Sequence, residues 1–499
     1  MMTTEVERRG SPSDVRTRRW APRLSFGLGA SLGLLLLFTR LRGLGHSLWW
    51  DEAYTAWAYV RRAGAIRSPD HYLGNNHVLF SFLTNRTTEL VGTVAEPVLR
   101  FWSVFPGLLA TAVLILWLWR RSGPALALTT LGFLYLSVEH ARHIPEARGY
   151  GLVLLGSVAL VGAGSAASRR DGNWVHDATF VTGGAIGVAA IPTLAFAAVP
   201  QGLAVMLVRK VAWLRLLLLG VGSAAILAWW YWPLREPMLH YSTSVGSRSG
   251  VEVTWANFLL VPLRHLGTGP SQALLSPLPH PLIMASVVAL AVLGGWALLQ
   301  RDRALGLQVS TGVIGGMAIV GILGVHAPPR YVLFLLPHVA VAIAAGLVRL
   351  GEIVIQRIPP RVGIPLLGVT IAIALVRGSL PVLEEHDQPR QAFAESLRVI
   401  AEADVETIYS DRLHIGYRWY LGEGVDEVIV IADADELQEA VCSSDRPAAY
   451  LPYPRADSYP DPLPCFDEPG WAVYDPPSLH PTTVWLRAGH AEDDEAPGH

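Results

Sequence analysis

The sequence predicts an all-α polytopic membrane domain of about eleven transmembrane helices, followed by a small C-terminal α/β domain. Three observations carry this. Hydrophobic residues make up 51% of the 499 and charged ones only 16%, with mean hydropathy +0.36, too little charge to cover a soluble surface of that size. Apolar segments close to the roughly 20 residues that a span needs recur as far as residue 379. Beyond it the hydropathy falls, and short strand-like runs alternate with soluble-type helices.

The expected spans are 23–41, 99–119, 123–139, 148–167, 178–192, 193–208, 212–232, 281–300, 304–325, 331–350 and 362–379. Arginines set their orientation. With the N-terminus inside, every inner connection is basic: the arginine-rich N-terminus, Arg120-Arg121, Arg169-Arg170, Arg209-Lys210, "RDR" at 301–303 and "RLGEIVIQRIPPR" at 349–361. An even number of spans breaks that agreement. The outer face then receives 42–98, 138–147, 233–280, 326–330 and everything after 380. The N-terminus is long and polar, and no small-residue cleavage site follows its apolar run, so it does not read as a removable signal. The expectation is a multi-pass protein of the cell membrane. It divides into a basic cytoplasmic tail (1–22), a transmembrane domain (23–379), an extracytoplasmic α/β domain (380–489) and an acidic disordered tail (490–499).

Loop 42–98 is too patterned for a linker. "SLWWDEAYTAWAYVRRAG" sets Trp49, Ala53, Ala56, Trp57 and Val60 at helical spacing, which suggests a helix lying in the membrane interface. "NNHVLFSFLTNRTTELVG" reads as a second one, and the loop at 233–280 holds similar material in "TWANFLLVPLRHL". In the C-terminal domain "QAFAESLRVIAEA" and "ADELQEAV" read as helices, and "ETIYS", "EVIVIA" and "AAYLP" as strands. Its Cys442 and Cys465 either pair in an oxidising space or stay as small buried thiols.

Topology gathers polar side chains at the outer membrane boundary. Asp51, Glu52, Asn75, Asn76 and His77 come from the first loop, and Glu139, His140, Arg142, His143, Glu146 and Arg148 from the second. His326, Arg330 and Tyr331 come from a short later one. Each has a plain reading: a lone interfacial carboxylate is usually solvated, Glu52 can pair with an arginine such as Arg61, Arg148 can snorkel, and His338 reads as a hydrogen-bonded core histidine. Together they suit a substrate with both an anionic group and a reacting hydroxyl. Arginine binds phosphate bidentately and stays charged, and a carboxylate beside a hydroxyl can act as general base. A lipid phosphate carrying a sugar meets both needs. The histidines lack the spacing of a hydrolytic zinc helix. Asp51, Glu52 and His140 do offer oxygen and nitrogen atoms of the kind that hold a divalent cation, and the sequence leaves metal use open.

The stretches "LWWDEAYTAWAYV", "NNHVLFSFLT", "RFWSVFPGLLATAVL", "HARHIPEARGYGLVLL" and "PPRYVLFLLPHVAVAIAAGL" resemble, in that order, the multi-spanning GT-C glycosyltransferases. Among these the resemblance is to the protein O-mannosyltransferase-like group, family 39 and the aminoarabinose-transferase relatives, over roughly residues 25–378. It implies a transferase that takes a sugar from a polyprenyl-phosphate donor at the outer face, amid membrane lipid. The sugar passes to a glycan, lipid or protein acceptor with inversion, and no nucleic-acid partner is expected. By motif position Asp51 is the catalytic carboxylate, with Glu52 beside it. Arg148 and Tyr150 match an Arg–x–Tyr of the second outer loop, and Arg330, followed by Tyr331, falls near the donor phosphate. His77, His140, Arg142 and Glu146 complete the expected donor and substrate set. The chain departs where many relatives read "REAR" and it reads "PEAR", at Pro145 to Arg148. The main alternative is a multi-spanning lipid or glycolipid transporter or flippase. Against it, no internal repeat is seen and the polar cluster lies at one face rather than at the midplane. A second alternative is another enzyme of the same location, a polymer ligase or a phospholipid-headgroup transferase.

Overall fold

The structure is a computed structural model. It describes residues 12–71, 76–209, 213–238, 280–322, 329–357, 383, 393–403, 405–410, 415–421, 428–431, 434–443, 447–451, 463–467, 471–474 and 484–487. Its helices are α1 (Pro12–Leu41), α2 (Trp50–Thr55), α3 (Val78–Val91), α4 (Glu96–Ser122), α5 (Pro124–Leu136), α6 (Val138–His143), α7 (Tyr150–Ala167) and α8 (Trp174–Ala190). They continue as α9 (Ala195–Val208), α10 (Trp213–Tyr231), α11 (His280–Arg301), α12 (Arg303–Ile322), α13 (Leu336–Arg357), α14 (Phe393–Glu402), α15 (Ile415–Leu421) and α16 (Ala434–Cys442).

Helices occupy ten of the eleven expected spans. The eleventh, 362–379, and most of the loop 233–280 lie outside the described residues. Five described segments are long and apolar enough to cross a membrane: Glu96–Ser122, Tyr150–Ala167, Trp213–Met238, Arg303–Val320 and Val332–Arg357. Four shorter apolar helices accompany them. This is a multi-pass membrane protein. Its most apolar window in Val332–Arg357 is 83% buried, against 6% in Trp213–Met238. So α13 is the spine of the bundle, and α10 lies at its edge, turning Leu214, Leu218, Val221 and Ile226 outward.

Local chemistry explains the tight connections. Gly123 ends α4 with φ +92° and Pro124 opens α5. A backbone that only glycine adopts easily is thus followed by a residue whose fixed φ suits a first helical turn. Helices α4 and α7 meet through small residues. A Cβ on Gly151 would stand 1.7 Å from the Ser103 carbonyl oxygen, and Gly107 faces Ile144 and the Gly151 backbone. That close approach sets the loop before α7 against the N-terminal part of α4.

The two ends of the bundle differ. At one end the arginine-bearing turns meet. Arg121 pairs with Asp302 at 2.6 Å, Arg209 and Arg215 with the buried Asp177, and Arg301 and Arg349 with Glu352. Gln308 joins α12 to the end of α7 through Ser168. His338 is a core histidine at the bundle centre, in contact with Ser157 and Gln201.

The other end carries α2, α3, α6 and the C-terminal domain. Strands β1 (Thr407–Ser410), β2 (Val428–Val430), β3 (Ala448–Tyr450), β4 (Trp471–Tyr474) and β5 (Val484–Arg487) form one mixed sheet in the order β2-β1-β3-β5-β4. The first three are parallel and β5 runs antiparallel to both β3 and β4. The three expected strands and two expected helices are all present, while α15, β4 and β5 were not foreseen. Cys442 and Cys465 form a disulfide with a sequence separation of 23, which decides the open choice. Such a loop is worth about 3 kcal/mol by chain entropy. Non-reducing peptide mapping should recover the linked pair, and Cys442→Ser should lower the domain's thermal stability accordingly; two free thiols in the native protein would refute the pairing.

Candidate active site

Two arginine–carboxylate pairs form the centre of the polar end. Asp51 and Glu52 lie in the first turn of α2, where carboxylates suit the helix dipole. Glu52 reaches back to the Trp49 amide at 3.2 Å, closing the helix start. The helix then widens into a π turn, Ala56–Val60.

Glu52 is fully occupied. Arg100 of α4 grips it bidentately, Nε to Oε1 at 3.0 Å and Nη2 to Oε2 at 2.8 Å, and the Ala147 amide donates to Oε1 at 2.5 Å. The same guanidinium donates to the carbonyls of Gly43, Leu44, His46 and Ser47. Glu52 therefore ties the first loop to the second, and its arginine is Arg100 rather than Arg61. Arg100 is not among the expected site residues; its signal is an arginine at the second position of the apolar span 99–119.

Asp51 faces the second loop. Its Oδ2 accepts from Arg148 Nη1 at 2.5 Å, and Arg148 is fully buried. So Arg148 does not snorkel. His77 packs beside it. The Gly149 amide donates to His77 Nδ1 at 2.8 Å, so a neutral ring carries its proton on Nε2. The 3.2 Å approach of Arg148 Nη2 to that nitrogen is then the contact of two donors. Tyr150 lies under the group, its ring 5.2 Å from that of His77, 4.8 Å from that of His143 and 5.3 Å from the Arg148 Cζ. Asp51, His77, Arg148 and Tyr150 are thus brought together.

His140 is not with them. Arg40 Nε donates to its Nδ1 at 3.0 Å, and its Nε2 lies 3.1 Å from Thr111 Oγ1. Arg40, wholly buried, also donates to the carbonyls of Leu134 and Tyr135. His140 is therefore a neutral strut between α1, α4 and α6. With both its nitrogens engaged and Glu52 saturated, the set Asp51, Glu52 and His140 does not fit a metal ion. Among the described residues no three His, Cys, Asp or Glu groups converge to hold one.

Glu146 serves a second cluster. His143 sits between Glu146 (Nδ1 to Oε1, 2.9 Å) and Glu139 (Nε2 to Oε2, 2.9 Å), all three buried. Burial opposes a charged ring, but the two carboxylates outweigh it and raise the His143 pKa above its ordinary value. Arg142 is half-buried on α6. Arg330 and Tyr331 open a short 3-10 helix, Pro329–Leu335, and their side chains lie outside the described residues, as do Asn75 and His326. Asn76 supports the first loop by donating to the Ile66 carbonyl at 2.9 Å.

The C-terminal domain reaches this end. Tyr420 Oη accepts from the Leu48 amide at 2.7 Å and donates to Glu96 at 3.0 Å. Burial, reinforced by Glu96, pushes its pKa up, so the phenol keeps its proton. Ser47 caps α14 from another domain. Its Oγ accepts from the Ala394 amide at 3.2 Å and donates to Glu395, a helix cap supplied from 347 residues away.

Neither a family model nor a curated protein matches the chain by sequence. Solved structures do match. ArnT from Cupriavidus metallidurans in the apo state aligns with a TM-score of 0.56 at 13% identity, over 93% of this chain and 98% of that one. ArnT bound to undecaprenyl phosphate gives 0.53 at 13%, over 92% and 97%. The chain carries the GT-C fold. Coverage this complete means that the sheet domain as well as the bundle belongs to the shared architecture. The oligosaccharyltransferase AglB from Archaeoglobus fulgidus aligns less well, with a TM-score of 0.48 at 11% identity over 87% of this chain and 70% of that one.

The Glu139–His143–Glu146 cluster makes a testable demand. A histidine whose pKa is raised on folding contributes stability that is fully present below its unfolded value, about 6.5. That stability is lost as pH rises through the folded value. Thermal stability in detergent should therefore fall as pH rises above about 6.5, and His143→Gln should flatten that fall. An unchanged pH profile in His143→Gln would refute the bridging role.

Proposed function

We propose that this chain transfers a sugar from a polyprenyl-phosphate donor to an acceptor hydroxyl on the extracytoplasmic face, inverting the anomeric centre. The observation that carries this reading is the buried Asp51–Arg148 pair at one end of a GT-C bundle. Arg148 holds one carboxylate oxygen of Asp51 in place. Asp51 takes the acceptor proton as that oxygen attacks C1 of the sugar. The C1–oxygen bond to the lipid phosphate breaks, and polyprenyl phosphate leaves with the electron pair. By motif position Arg330 stabilises the charge growing on that phosphate electrostatically. ArnT, of the same fold, is solved with undecaprenyl phosphate bound, which supports the donor class. The acceptor is a glycan, lipid or protein of the envelope.

Orientation is part of the proposal. The arginine-bearing turns gather at the end away from Asp51, which suits the cytoplasm, and the Cys442–Cys465 disulfide suits an oxidising space. In this reading Glu52 is a positioning residue, because its oxygens already accept from Arg100, Ala147 and Trp49.

Asp51→Asn should lower turnover by roughly 10²–10⁴-fold with donor affinity changed little. Glu52→Gln should instead destabilise the fold by about 3–5 kcal/mol, because it strands a buried guanidinium. Asp51→Asn also weakens an ion pair, so thermal stability is measured alongside, with Asp51→Asn/Arg148→Gln as the charge-balanced partner. A folded Asp51→Asn protein that still transfers sugar at the wild-type rate would rule the mechanism out.

A further inference from the structure

Arg61 and Arg62 end the helical run that begins beside Asp51. Arg61 Cζ lies 4.1 Å from the ring centre of Trp419 and 5.5 Å from that of Trp57, and Arg62 Cζ lies 5.7 Å from Trp57. The two indoles come from different parts of the chain. Trp57 belongs to the π turn of the first loop, and Trp419, 5% exposed, belongs to α15 of the sheet domain. The wide turn, in which the Arg61 amide bonds the Ala56 carbonyl at 3.0 Å, brings residues four apart onto one face. Trp57 and Arg61 therefore stand together.

Both arginines are exposed. Stacking occupies the faces of a guanidinium and leaves its rim of N–H donors pointing outward. Neither side chain makes a hydrogen bond or ion pair with any described residue. Arg67 shows the contrast. It also lies over two indoles, Trp229 and Trp230, but its Nε and Nη2 donate to their carbonyls. Arg61 and Arg62 thus combine preset orientation, two positive charges and unused donors, which is what bidentate capture of a phosphate or carboxylate needs.

We propose that Arg61 and Arg62, held by Trp57 and Trp419 across the joint between the two domains, bind an anionic group of the acceptor, making the acceptor an anionic glycan or glycolipid. The word acceptor rests on the transferase reading above; the anion site does not. The pair lies ten residues beyond Asp51, about 15 Å along a helix, a distance that an extended glycan crosses in a few sugars. Asp51 already has Arg148 beside it for the reacting centre. Arg61 stacks on Trp419 of the sheet domain, which favours an acceptor chain over the donor's lipid phosphate as the occupant.

The test reads binding, without turnover, on the full chain in nanodiscs of zwitterionic phosphatidylcholine. The probes are hexagalacturonate, which carries a carboxylate on each sugar, inorganic pyrophosphate, and the neutral maltohexaose. Wild type should bind at least one anionic probe and not the neutral one. Arg61→Gln/Arg62→Gln should bind it at least tenfold more weakly with unchanged thermal stability, and Arg61→Lys/Arg62→Lys should fall between. Equal binding by wild type and the Gln variant, or no binding of either anionic probe by wild type, would overturn the site. In phosphatidylglycerol nanodiscs wild-type binding should persist. Its loss there would assign the arginines to a lipid headgroup and overturn the acceptor assignment. Asp51→Asn should bind as wild type does, so a failure of the transfer chemistry leaves this result standing.

Discussion

The polar end of this protein is organised by one buried guanidinium. Arg100 neutralises Glu52 through two hydrogen bonds and gathers the carbonyls of Gly43, Leu44, His46 and Ser47. Those carbonyls leave the end of α1 in a tight turn with little regular structure, where water would otherwise have to satisfy them. Without Arg100 the buried Glu52 carboxylate would lose its counter-charge and keep only the Ala147 and Trp49 amides as donors, at a cost of about 3–5 kcal/mol. With it, the turn, the start of α2 and the Ala147 amide of the second loop become one unit. Asp51 inherits its position from its neighbour.

The same unit is braced from the other side. Tyr420 and the hydrogen bonds of Ser47 to Ala394 and Glu395 hold the residues immediately before α2. The sheet domain is therefore part of the machinery that places Asp51 and does more than cover the mouth of the bundle. A displacement of α14 or α15 would pass directly to Ser47 and Leu48, four and three residues from the carboxylate. The close packing of α4 on α7 through Gly107 and Gly151 fixes the opposite wall, which carries Arg148.

Much of this was legible in the sequence because it is local or repetitive. Span-length apolar runs fixed the helices, and the drop in hydropathy after residue 379 marked the sheet domain. The adjacent Asp51-Glu52 and the "EARGYG" stretch marked the two loops that meet. What escaped depends on long-range partners. Nothing near Glu52 in sequence says that its arginine lies 48 residues on. Nothing near His140 reveals Arg40, 100 residues back, which turns an apparent ligand into a strut. Strands β4 and β5 escaped because each follows a proline-rich stretch that reads as loop. Nothing near Gly151 in sequence says that the Ser103 carbonyl of α4 lies against it.

The most direct measurement is a mass-spectrometric assay in nanodiscs, where no compartment exists for a transporter to fill. The protein is supplied with short-chain polyprenyl-phosphate sugars and an extract of envelope glycans. Release of free polyprenyl phosphate, together with a glycan product of inverted anomeric configuration, is the result predicted here. Donors recovered unchanged from nanodiscs, while the same protein in proteoliposomes carries them across the bilayer, would contradict the account.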